Sequence, residues 1–219
     1  FDMFPNTKKT SLTDHISLAA GKLPVLKMAA LYGANGAGKS NLMKGVEFVK
    51  LLTTKRGVIT QSGISRFFYA LREDAGSQPM ELTVEFVTEE GQPFIYSVSI
   101  SQNGIESETL KQSGLGFGAN TDVFVRQGEE LSFAKKPSDE IERMVKNWLE
   151  RNPFGSLLTI NNEMSVLEDS NIDAARRWFD EELIVIGLHS FNPALINIFR
   201  NSEPISRFAS SLFADIDLG

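Results

Sequence analysis

The sequence predicts an α/β fold in which a strand–loop–helix unit is followed by an antiparallel β-meander and then by helices. Three patterns support this: an apolar segment that ends at a glycine-rich loop, a run of short alternating segments separated by turns, and helical periodicity after Pro137. We predict a strand–loop–helix core in residues 1–60 and a β-subdomain in 61–135. Residues 136–219 are then a helical region that continues into a further lobe absent from this sequence.

The first unit surrounds a glycine-rich loop. Residues 23–32 (LPVLKMAALY) are mostly apolar and end at Gly33, which predicts a buried strand leading into the loop. Beyond the loop, apolar residues recur at spacings that place them on one helical face: Leu42, Val46, Val49 and Leu52. The loop therefore joins a strand to a helix.

The β-subdomain is indicated by alternation and by turn residues. Apolar residues alternate with polar ones in residues 82–86 and 94–100, and Asn103-Gly104 is a hairpin turn signal. A second pair of short strands, 123–126 and 131–133, flanks a Gln-Gly-Glu-Glu turn. These segments predict an antiparallel meander separate from the loop unit.

The last third of the chain is predicted to be mainly helical. One amphipathic helix carries an apolar stripe and ends before Asn152-Pro153; its stripe is Ile141, Met144, Val145, Trp148 and Leu149. A capping box at Ser170 and Asp173 predicts the start of a second helix. Residues 183–188 (LIVIGL) predict a short buried strand.

The loop carries the strongest functional signal in the chain. It satisfies the G-x-x-x-x-G-K-[ST] phosphate-loop pattern with the residues Gly33, Ala34, Asn35, Gly36, Ala37, Gly38, Lys39 and Ser40, followed by Asn41. Glycines allow the backbone N–H groups to converge on a phosphate, and the following helix directs its positive end at the same anion. Lys39 is expected to contact the β- and γ-phosphates, and the Ser40 hydroxyl to coordinate Mg²⁺. The pattern predicts binding of a purine nucleoside triphosphate, namely ATP with magnesium.

Composition narrows the other functional classes. The chain has no cysteine, which excludes disulfides and thiolate metal sites and fits a reducing cytoplasm. No apolar run approaches the roughly 18 residues of a membrane span, so we expect no membrane partner. The net charge of −6 gives no basic footprint for nucleic acid, so that partner has no support from charge and stays open.

The residues that fill the loop narrow the class further. Asn35 to Asn41 (NGAGKSN) resembles the loop of the ABC-type ATPases, which include RecF and the structural-maintenance-of-chromosomes heads. That resemblance implies the first lobe of an ABC-type head, in which the loop unit is followed directly by an antiparallel β-subdomain. The N-K-x-D guanine motif of GTPases does not occur in the chain.

A closer resemblance covers most of the sequence. Residues 29–52 and 81–105, and Asn161-Asn162 ahead of Trp178-Phe179, are similar to the ATP-binding AAA family associated with abortive infection and overcoming-lysogenization nucleases. The resemblance implies a bacterial defence ATPase that dimerises head to tail around ATP, or forms a higher oligomer. It also implies control of a separately encoded nuclease or toxin.

Two motifs that this class needs for hydrolysis are not recognisable in the sequence. These are the signature motif and the apolar strand ending in Asp-Glu, and in family order both would follow residue 219. We reject Asp180-Glu181 as the acidic strand end because its surroundings are helical and half polar. We also reject Asp215 and Asp217 for that role, because a solvated helix end explains them better. This segment is therefore expected to hold ATP without hydrolysing it alone, whereas the full-length protein would be an ATPase.

Three functions stay open from the sequence. The first is the defence ATPase that controls an effector, the second is a nucleotide-sensing scaffold with little hydrolysis, and the third is a DNA-repair ATPase of the RecF type. Adenine-stacking candidates are Phe4, Phe67, Phe68 and Tyr69, each of which is more readily explained as core packing.

Overall fold

The computed structural model describes residues 1–6, 13–55, 57, 59–64, 67, 78–186, 201–207 and 210. The chain divides into two compact units, Phe1–Leu183 and Ile184–Gly219. In the second unit, residues 203–207 are helical, and Arg207 pairs with Glu203 one turn away.

The first unit is organised around an antiparallel sheet. Its strands are β3 (Met80–Val87), β4 (Pro93–Ser101), β5 (Gly104–Gln112), β6 (Thr121–Gln127) and β7 (Glu130–Phe133). Each pairs with its neighbour in chain order, so the sheet is a simple meander. The predicted antiparallel meander and its turns are confirmed, and the meander lies in the same compact unit as α1.

The central strand β4 shows why this sequence forms a half-buried sheet. Its even-numbered residues Phe94, Tyr96, Val98 and Ile100 are buried, whereas the residues between them are partly exposed. At the turn into β5, Gly104 has a φ of +143°, and a Cβ there would lie 2.6 Å from the Pro153 carbonyl oxygen. Only glycine fits this approach.

Helices cover the buried face of the sheet. They are α1 (Lys39–Thr54), the short α2 (Gln61–Ile64), α3 (Asp139–Arg151), α4 (Leu157–Met164) and α5 (Ser170–Arg177). A π-helical turn, Trp178–Glu182, continues α5. The predicted helices after the loop and after Pro137 are confirmed, and no described helix is both long and apolar enough to cross a membrane.

The prediction of a strand over residues 23–32, before the phosphate loop, is wrong for most of that length. β1 (Ile16–Ala19) and β2 (Leu23–Leu26) form a separate two-stranded hairpin, and β2 stops before the loop. Residues 28–32 form no strand and are exposed; Tyr32, for example, is 91% exposed. A strand needs a hydrogen-bonded neighbour, and no strand in the described part of the chain lies beside this segment.

Two further expectations are corrected, and one helix was not predicted. Residues 183–186 form no strand, with Ile184 and Ile186 exposed, and 187–188 lie outside the described residues. The N-cap of α5 is Asp169, whose carboxylate accepts the Asn171 N–H, so the capping position is one residue earlier than predicted. Helix α4 was not predicted, because its eight residues are too few for a clear apolar stripe.

Candidate nucleotide-binding site

The loop backbone adopts the conformation that its glycines allow. Gly36 has a φ of +82° and Gly38 a φ of +88°, both in the left-handed region. No heavy atom lies within 4 Å of a Cβ built on either residue, so backbone conformation and not crowding demands glycine. The open space above the two glycines lets a ligand approach the main chain closely.

The first turn of α1 presents unpaired N–H groups to this space. Gly38 caps the helix without any side-chain hydrogen bond, and its carbonyl oxygen accepts from the N–H groups of Asn41 and Leu42. The N–H groups of Lys39 and Ser40 have no carbonyl within the helix to bind. The first turn also contains no acidic residue, so the positive end of the helix is not neutralised.

Lys39 places a cation across the loop. Its Nζ donates to the carbonyl oxygens of Gly33 at 2.6 Å and Ala34 at 2.8 Å. In the described residues no carboxylate lies in ion-pair range of this ammonium, so its charge is held over the loop by two neutral groups. An anion at the loop would be stabilised by this charge.

The structure brings the predicted site residues together. Residues 33–38 form the loop, and Lys39, Ser40 and Asn41 form the first turn of α1, with Asn35, Ser40 and Asn41 exposed. Backbone N–H donors, a lysine such as Lys39 and an exposed hydroxyl such as that of Ser40 are groups that bind a polyphosphate with its magnesium ion. The residues therefore fit a magnesium–nucleotide complex.

The adenine candidates have separate outcomes. Phe67 packs against buried Phe48 with ring centroids 4.6 Å apart, which makes it part of the core. Phe4 is 53% exposed and lines a groove of about 1070 Å³ with Leu42 and Val46 of α1. Phe68 and Tyr69 lie outside the described residues.

The far end of α1 is anchored by residues that sequence reasoning missed. The Thr159 hydroxyl donates to the Leu52 carbonyl oxygen at 2.6 Å, and the Asn162 amide donates to that of Thr54 at 3.0 Å. Both carbonyls belong to the last turn of α1, where carbonyl oxygens have no N–H partner within the helix. The Asn161-Asn162 pair was the available signal, but its partner could not be read from the sequence.

A buried ionic cluster fixes α4 to the sheet. The Glu108 carboxylate accepts from the Tyr96 hydroxyl at 3.0 Å and from the Leu157 N–H at 3.0 Å, and Arg126 lies 3.8 Å away. Burial raises the pKa of the Glu108 carboxyl, while Arg126 and the Leu157 N–H oppose that shift. Burial and the nearby carboxylate also raise the pKa of Tyr96. Since the cluster is closed to solvent, it is structural.

Within the described residues no group of three or more His, Asp or Glu side chains is placed to hold a metal ion. Asp180 and Glu181 lie in the π-helical turn, which agrees with their rejection as the end of a strand. Asp215 and Asp217 lie outside the described residues.

Together, the loop, the open helix end and the bridging lysine have the features expected of a candidate P-loop site. Residues 28–217 match the protein family described as AAA domain, putative AbiEii toxin, Type IV TA system, and the chain belongs to that family. It is therefore a P-loop ATPase domain of the AAA/ABC type, a class that binds nucleotide and usually Mg²⁺. Searches of curated proteins and of solved structures returned no match.

Proposed function

We propose that the chain binds ATP with Mg²⁺ on residues 33–41. The backbone N–H groups of the loop and of the first turn of α1 would surround the β-phosphate. Lys39 would exchange its two carbonyl contacts for phosphate oxygens, and the Ser40 hydroxyl would contribute to the magnesium shell. The conformation of Gly36 and Gly38 at the start of α1 is the observation that carries this proposal.

At the molecular level, ATP-dependent dimerisation regulates an effector, a separately encoded nuclease or toxin, in bacterial antiphage defence. The toxin–antitoxin wording of the family description supports that setting. The exposure of the loop supports dimerisation, because a bound triphosphate would keep one side open to a second copy. A head-to-tail partner could then supply the groups that complete the site.

Analytical ultracentrifugation with and without MgATP tests this proposal. Wild-type protein should sediment as a dimer, or as a higher oligomer, when MgATP is present and as a smaller species without it. Lys39→Ala should not respond to MgATP, whereas Lys44→Ala is the matched control because Lys44 is exposed further along the same helix. An unchanged sedimentation coefficient for MgATP-bound wild type would rule out nucleotide-dependent dimerisation.

A further inference from the structure

Helix α1 is exposed near its N-terminus and buried near its C-terminus. Its N-terminal half, which carries the phosphate loop, is exposed at Ser40, Asn41 and Lys44. Its C-terminal half is buried at Phe48 and Leu52 and is further fixed by the α4 contacts at its last turn. The position of the loop therefore depends on the contacts that the buried half of α1 makes.

Lys50 makes an additional contact from that buried half. Its Nζ donates to the Leu183 carbonyl oxygen at 2.5 Å and to the Asp180 carbonyl oxygen at 3.2 Å. The described residues offer it no carboxylate in ion-pair range, since the Asp180 side chain lies 4.0 Å from Arg176 instead. These two hydrogen bonds form only when the backbone places both carbonyl oxygens within reach of the Lys50 Nζ.

That backbone is a π-helical turn. The Leu183 N–H donates to the Trp178 carbonyl oxygen at 2.8 Å, five residues earlier. π-Helical turns are uncommon and often occur at functional positions. Their hydrogen bonds span five residues, one more than those of an ordinary α-helix. Lys50 binds two carbonyl oxygens of this segment, so it favours the π-helical turn over an ordinary α-helical turn.

The rest of the turn is fixed by aromatic packing. Trp178 stacks on Phe86 of β3 with ring centroids 4.0 Å apart, and Phe179 is fully buried against Tyr96. The start of the turn is thus immobilised on the sheet. Its end is held by Lys50 and by the Glu89 N–H of the β3–β4 turn, which donates to the Glu182 carboxylate at 2.8 Å. The end at Leu183 is where the first unit stops.

We propose that Lys50 is a positioning residue that couples nucleotide occupancy of the phosphate loop to the π-helical turn 178–182 and its C-cap Leu183. Lys50 follows Lys39 by eleven residues of continuous helix, a distance of about 16 Å along the axis. Nucleotide would order the exposed half of α1, the Lys50 contacts would persist longer, and the amide protons of the turn would become protected. This inference rests on the proposed ATP binding.

Hydrogen–deuterium exchange of the peptide covering 178–183 tests the coupling. MgATP should slow exchange of this peptide in the wild-type protein by at least about threefold. Lys50→Met keeps the length of the side chain but removes the donor, and it should lose that response while MgATP affinity changes little. Lys50→Arg, which can still donate to two carbonyls, should restore the response, and the matched control Lys44→Met should behave as wild type.

Binding of MgATP is measured on the same samples, which separates the two ideas. Wild-type protein that binds MgATP without protection of 178–183 overturns the coupling and leaves the proposed function intact. Equal protection in wild type and Lys50→Met also overturns it. Wild-type protein that does not bind MgATP overturns both.

Discussion

At the scale of single residues, the site depends on backbone conformations that only glycine adopts easily. Gly38→Ala should lower the free energy of unfolding by about 1 kcal/mol and weaken MgATP binding, because alanine is strained at positive φ. Gly45→Ala is the matched control: Gly45 lies inside α1, where a Cβ would meet Leu82 at an ordinary 3.8 Å. That variant should gain about 0.5–1 kcal/mol. Chemical denaturation and calorimetric titration measure both, and equal behaviour of the two variants would contradict this account of the loop.

Glu108 gives a pH-dependent prediction at the same scale. Its carboxyl pKa is raised in the folded protein, so the folded state retains this proton to a higher pH than the unfolded chain. The contribution of Glu108 to stability is therefore largest at pH values below its unfolded pKa. It falls as the pH rises from the unfolded pKa toward the raised folded pKa.

Comparison with Glu108→Gln isolates this effect, because glutamine does not titrate. The stability of wild type relative to Glu108→Gln should decrease as the pH rises from about 4.5 toward neutrality. Urea denaturation of both proteins across that range measures the difference. A difference that is constant or grows with pH would show that burial does not dominate the environment of this carboxyl.

At the scale of elements, α1 is stabilised by side chains that satisfy its terminal carbonyls. Thr159→Val removes the donor to the Leu52 carbonyl oxygen at a fully buried position, which should cost about 1–3 kcal/mol. The control Thr83→Val makes the same change on the exposed face of edge strand β3 and should alter stability by less than about 0.5 kcal/mol. Equal losses measured by thermal denaturation would contradict a specific role for the Thr159 contact.

The elements also show what the sequence could predict. The meander and α3 were predictable because β4 alternates strictly between buried and exposed residues and because α3 has a continuous apolar stripe. The phosphate loop was predictable because its function requires particular residues at fixed spacing. Helix α4 was not, since its stability comes from distant partners such as Glu108 at its first turn.

Tertiary partners explain the wrong predictions as well. Residues 28–32 have the composition of a buried strand, but composition does not provide the neighbouring strand that such a segment needs. The Asn162 contact with α1 joins residues 108 positions apart, which no local pattern reveals. Positions of anchoring residues are therefore known only from the fold.

At the scale of the whole molecule, the proposed nucleotide binding predicts a change in the stability of the fold. The sheet and α4 hold the buried half of α1, and the phosphate loop precedes its exposed N-terminal half. Ligand binding to the folded state alone stabilises that state. MgATP at about 100 times its dissociation constant should therefore raise the free energy of unfolding by about 2.7 kcal/mol. Lack of a thermal shift with MgATP, with Mg²⁺ alone as the control, would contradict nucleotide binding to the folded chain.

The most direct test of the central claim is isothermal titration of MgATP into wild type, Lys39→Ala and Lys44→Ala. We expect saturable one-site binding to wild type and to Lys44→Ala, and a loss of at least about tenfold in affinity for Lys39→Ala, because Lys39 is the cation held over the loop. Equal MgATP affinity in wild type and Lys39→Ala would contradict the assignment of residues 33–41 as the nucleotide site.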